Sequence, residues 1–103
     1  MKIQHLFFYW KLKIMKFNKI ILVDYTKLND ESISKLKEYS EDQVEVYDDY
    51  PEDEQTIIER IGDAEAIIVS WHTQITESII ESCSSLKYIG MACSLYDDEA
   101  ANV

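Results

Sequence analysis

The sequence predicts one small α/β domain built on a parallel sheet, and three observations carry that prediction. From residue 18 onward, short apolar runs alternate with amphipathic stretches, as βαβ units do. Two of the runs, residues 19–24 (KIILVD) and 66–69 (AIIV), are continuous rather than alternating, which suits strands covered on both faces. The chain has 103 residues, room for a single domain at roughly 100–200 residues each.

Residues 1–17 hold Lys2, Lys11, Lys13 and Lys16 among aromatics and no acid, so they read as a basic leader lying outside the fold. Its uncharged stretch, residues 3–10, contains Gln4 and His5. It lacks a small-residue cleavage site and falls well short of the roughly 20 apolar residues needed to span a bilayer. The first strand, residues 19–24, is central. Asn29 caps a helix over residues 30–39, with Leu28 and Ile33 as its hydrophobic staple. Residues 43–47 (QVEVY) alternate apolar with polar and mark an edge strand. A second helix over residues 53–61 presents Ile57, Ile58 and Ile61 on one face and ends at Gly62, which tolerates the left-handed backbone of a helix stop. Residues 66–69 form the third strand. Thr76 caps a third helix, with Ile75 and Ile80 as the staple and Ile79, Ile80 and Cys83 as the apolar face. Residues 86–91 form the fourth strand, where Gly90 suggests close approach of another backbone.

Right-handed crossovers arrange these strands in the order 2-1-3-4 with helices on both faces, a flavodoxin-like three-layer sheet. Ligands on such sheets bind at the carboxyl ends of the strands. The segments that lie there are residues 24–26, 48–50, 70–73 and 92–95.

Composition narrows the function. Ten Lys and Arg stand against 20 Asp and Glu, a net charge of −10, which repels a nucleic-acid backbone. Two cysteines, Cys83 and Cys93, form neither a disulfide framework nor a zinc or redox pair and fit a reducing, cytoplasmic compartment. A phospho-receiver needs an Asp where Ser70 ends the third strand, and an FMN loop needs glycine where residues 25–29 have none. No G-x-G-x-x-G, G-x-x-x-x-G-K-[ST] or G-x-S-x-G is present.

The most chemically promising segment is Ser70, Trp71, His72 and Thr73, which leaves a central strand for a capped helix. Its side chains and amide groups could hold a carboxylate. The plainer reading packs Trp71 over the sheet top and leaves His72 solvated. No Lys or Arg lies in residues 70–76 or 92–103, and Arg60, the one arginine, is expected at the end of the second helix, at the sheet's opposite edge from the crest. Cys93 reads as a small inert residue and Cys83 as core. Asp48, Asp49, Glu52, Asp53 and Glu54 lack the glycine turn and spacing of a calcium loop and read as a solvated face complementing a helix dipole. Asp97, Asp98 and Glu99 read the same way.

The order of three segments, KIILVDY from Lys19, GDAEAIIVSWHTQIT from Gly62 and SLKYIGMACSLYDDEAANV from Ser85, resembles the amino-terminal part of the D-isomer-specific 2-hydroxyacid dehydrogenases. The likeness covers residues 18–103. It implies that these residues are part of a flavodoxin-like substrate domain and that Ser70, Trp71, His72, Thr73, Ala92, Cys93 and Ser94 face a small 2-hydroxy or 2-oxo acid. It further implies that NAD or NADP sits on a separate Rossmann domain and that the catalytic Arg, Glu and His lie downstream, so that this chain alone carries no catalytic residue and binds no cofactor. Residues 91–95 lack the glycines usual in that family's loop. The resemblance describes the chain as the front portion of a longer enzyme, with its fourth strand left as an open edge and self-association as the expected result. A stand-alone binding or regulatory module is the alternative.

Overall fold

The computed structural model describes residues 16–92. Its sheet has four parallel strands, β1 (Ile20–Leu22), β2 (Glu45–Val46), β3 (Ala66–Val69) and β4 (Tyr88–Met91), in the order β2-β1-β3-β4. This is the predicted order. Helix α1 (Asp30–Leu36) leads into a 3-10 turn (Lys37–Tyr39), α2 (Glu54–Ile61) joins β2 to β3, and α3 (Glu77–Ser82) joins β3 to β4.

Alternation along the two central strands divides the core into two layers. Ile21, Val23, Ile67 and Val69 face α2 and α3, where they meet Ile57, Ile61, Ile79 and Cys83. Ile20, Leu22 and Ala66 face the other way, onto Leu28, Ile33 and Leu36 of α1 and its approach. The first crossover moves outward to β2 and the next two move back across β1 to β3 and β4, so a constant right hand puts α1 on one face and α2 and α3 on the other. Leu22, Ile61, Ile67 and Ile79 are fully buried, each contributing about 2 kcal/mol of apolar transfer.

Three local signals are realised at their stated positions: Asn29 and Thr76 accept the N–H of Ser32 and Ile79, and Gly62 closes α2 at φ +54°. Asp53, read from the sequence as the first residue of its helix, is instead its cap and accepts the Thr56 N–H. Leu28 and Ile33 both pack against the α1-side layer. The second staple differs, because Ile75 joins the core while Ile80 stays exposed. Ile80 lies one residue from Ile79, about 100° around the helix, and six residues give α3 only one buried stripe.

Gly90 also departs from expectation. What a Cβ there would meet is side chain, the Cδ1 of Ile68 and the ring of Tyr88 at 3.0 Å each, and not backbone. Phe17, grouped by composition with the leader, belongs to the fold. It pairs with Ser40, exchanges backbone hydrogen bonds with Tyr39 and Glu41, and stacks on Tyr88 with ring centres 5.9 Å apart. Residues 1–15 lie outside the described residues. Among the described residues no helix is long and apolar enough to cross a membrane.

Candidate functional site

The carboxyl ends of β1 and β3 are adjacent because the two strands pair in register from Ile20 opposite Ala66 to Leu22 opposite Ile68. That register brings Asp24, two residues past β1, against the turn that leaves β3. Asp24 is completely buried. One of its carboxyl oxygens accepts the Ser70 N–H at 2.8 Å, and the other accepts the hydroxyls of Ser70 at 2.6 Å and Thr73 at 2.5 Å. The turn closes on itself through Thr73 N–H to Ser70 O at 3.3 Å and His72 N–H to Ser70 Oγ at 3.1 Å. No buried side-chain nitrogen or oxygen among the described residues is left without a partner.

This network sorts the sequence-predicted residues into two groups. Ser70 and Thr73 are buried and turned inward onto Asp24, whereas Trp71 and His72 are exposed. Among the described residues, the Trp71 amide is the one amide of the turn with no hydrogen-bond acceptor. Ala92 is half-buried, and its N–H donates to Val69 O at 2.8 Å, which holds the end of β4 beside the turn. Cys93 and Ser94 lie outside the described residues.

Trp71 does not pack over the sheet top. The residue is 61% exposed, and its ring stacks on His72 with centres 4.0 Å apart. His72 in turn meets Tyr50 at 4.7 Å, and Tyr50 meets Tyr25 edge-on at 6.2 Å. Three crest segments thus contribute one aromatic row. Tyr25 N–H donates to Asp49 O at 3.0 Å and so anchors the end of β2 to that of β1. On the other side of the turn, Trp71, Ile75, Ile89 and Met91 border an open apolar groove of about 470 Å³.

Arg60 reaches the crest, contrary to its expected place at the opposite edge of the sheet. Its guanidinium donates to Val23 O at 2.9 Å, pairs with Asp49 at 3.0 Å and lies 4.3 Å from the centre of the Tyr47 ring. Helix α2 has only eight residues, about 12 Å of rise, so a long side chain from its last turn can run up the sheet face. Two acids of the 48–54 cluster make structural bonds. Asp53 caps α2, its carboxyl held below the usual range by the Thr56 amide, and Asp49 holds Arg60. Among the described residues no three metal-ligating side chains converge. Cys83 is buried, which pushes its thiol up and away from reactivity.

Sequence reading placed Asp24 on the crest but did not single it out. The available signal was an acid ending an unbroken apolar run, with a Ser at the matching end of the neighbouring strand. Tyr50 carried no such signal.

An open parallel sheet whose crest gathers a fixed polar turn at the β1–β3 switch defines an α/β domain of the flavodoxin-like class. The family of D-isomer specific 2-hydroxyacid dehydrogenases, catalytic domain, matches residues 20–98, and the chain belongs to that family. Among solved structures it is similar to an acyclic imino acid reductase (Bsp5) in complex with NADPH and D-Arg, at 35% identity and a TM-score of 0.60. The likeness covers 79% of this chain and 28% of that one. No curated protein matches.

The family is nicotinamide-dependent. A pyrophosphate needs a Gly-rich turn opening a helix. Gly62 closes a helix, and Gly90 lies in β4 against the Tyr88 ring. Among the described residues neither glycine opens a helix, as a pyrophosphate turn requires.

Proposed function

We propose that this chain supplies part of the substrate domain of an NAD- or NADP-dependent oxidoreductase that acts on D-2-hydroxy acids or reduces 2-oxo acids, in a reducing, cytoplasmic compartment. Because the similar reductase is bound to D-Arg, the substrate class extends to acids bearing nitrogen on the α-carbon. The cofactor and the groups that move the hydride and the proton belong to a separate domain, and this chain alone is inactive.

The observation that carries this reading is the turn at residues 70–73, fixed by a fully buried Asp24 at the switch point of the sheet. Ser70 and Thr73 act by holding the turn's shape. Trp71 and His72, with Ala92, Cys93 and Ser94, are the groups offered to substrate, and the Trp71 amide is the donor aimed at its carboxylate. A turn whose own hydrogen bonds are already made costs little to order when ligand arrives.

Titrating pyruvate and 2-oxopentanoate into the 103-residue chain, with amide resonances followed by NMR, tests this. Saturable shifts centred on Trp71 and His72 are expected, with no calorimetric heat from NADH or NADPH. Oxo acids that shift no crest amide, or turnover above a no-protein control, would overturn the assignment.

A further inference from the structure

We infer that the aromatic row beside the turn is a subsite for a cation, so that the acid bound here carries a guanidinium or ammonium group at the end of a short aliphatic side chain. This rests on the substrate reading above and adds to it the chemistry of the side chain.

The row has the geometry such a group requires. Tyr25, Tyr50 and Trp71 are each at least 40% exposed although they touch neighbouring rings. Aromatic faces left open to water in contact with one another are poor hydrophobic core but good seats for a positive charge, which their quadrupoles attract. The crest already shows this preference with the chain's own cations. Lys27 places its ammonium 6.0 Å from the centre of Tyr25, from a backbone at φ +64° that a side chain other than glycine adopts rarely. Arg60 stacks its guanidinium on Tyr47 next to the same segment.

Charge and room agree with this. Tyr50 also borders a polar recess of about 200 Å³ shared with Asp49, Glu52 and Asp53, in which the one basic side chain, Arg60, is already paired. The recess is therefore net negative, and it lies one ring beyond His72, which neighbours the proposed carboxylate donor. A carboxylate at the Trp71 amide and a cation over Tyr50 would be two ends of one ligand. An acid with an apolar side chain would instead find the groove of Ile75, Ile89 and Met91 on the other side of Trp71.

The test uses the whole chain and three probes: D-arginine, its neutral urea isostere D-citrulline, and agmatine, which keeps the guanidinium and lacks the carboxylate. The Tyr25 and Tyr50 ring resonances and the Trp71 indole report the subsite, while the Trp71 amide reports the carboxylate. Saturable ring shifts with D-arginine and agmatine, at affinities about tenfold above D-citrulline, are expected. Tyr50→Leu should weaken agmatine by about threefold, as loss of one exposed cation–π partner does, and Tyr50→Phe should not. D-citrulline matching D-arginine, or rings that do not respond to agmatine, would overturn the inference. Agmatine binding at the rings while no carboxylate shifts the Trp71 amide would uphold the cation subsite and remove the carboxylate assignment instead.

Discussion

The two sides of β3 are built differently. Toward β1, the carboxyl end is sealed: Asp24 is buried, and Ser70 and Thr73 point inward to it. Toward β4, the strand is tied at its entry, where the N–H groups of Lys87 and Tyr88 both donate to Glu65 O and the Lys87 ammonium meets the Glu65 carboxyl at 3.2 Å. Beyond that point Tyr88, Ile89 and Met91 are all exposed. The contrast teaches where rigidity is placed. The turn that carries the proposed chemistry hangs on the sealed side, and the flank that borders the apolar groove contributes surface without contributing core.

Substitutions on the two sides should differ in proportion. Leu22→Ala, which removes a fully buried side chain from β1, is expected to cost about 3 kcal/mol, read as a lowered urea midpoint. That is a large part of a small domain's stability. Asp24→Ala should cost nearly as much, about 2–3 kcal/mol, because it strands the Ser70 amide and two hydroxyls in a dry site. Its specific signature is faster amide exchange at Ser70 and His72 and loss of oxo-acid shifts at Trp71. If Asp24→Ala melts normally and keeps those shifts, the seal is not what fixes the turn.

Smaller effects lie at the edges. Thr76→Ala removes the cap of α3 and a hydrogen bond to Glu54, and should lower stability by about 1 kcal/mol. The tie at Glu65 is tested by pH. The Asn18 N–H and then Lys87 hold its carboxyl below the ordinary range, as Lys19 does for Asp63. The folded chain therefore binds fewer protons than the unfolded one just below the ordinary carboxyl value, roughly pH 4. The stabilisation from these groups is complete above that value and is lost as pH falls through the folded ones. Urea midpoints measured from neutral pH downward should show this loss, and Glu65→Gln should make the acid limb shallower. The smallest change belongs to the flank: Ile89→Lys or Met91→Lys should shift stability by less than about 0.5 kcal/mol. A large loss in either would mean that β4 is as much core as β1.

The sequence by itself determined whatever depends on residues within a turn or a strand of one another. Continuous apolar runs marked β1 and β3, alternation marked β2, and Asn29, Thr76 and Gly62 bounded the helices, because capping and periodicity act over three to five positions. Handedness then converted those elements into the observed strand order. The tertiary structure alone decided what depends on register between strands. Asp24 meets Ser70 and Thr73 across 46 and 49 residues, Tyr50 comes to lie against His72, Arg60 climbs to the crest, and Ile80 turns away from the core that Ile79 enters. Each of these is fixed by how far one element slides or rotates against the next, and no spacing along the chain records that distance.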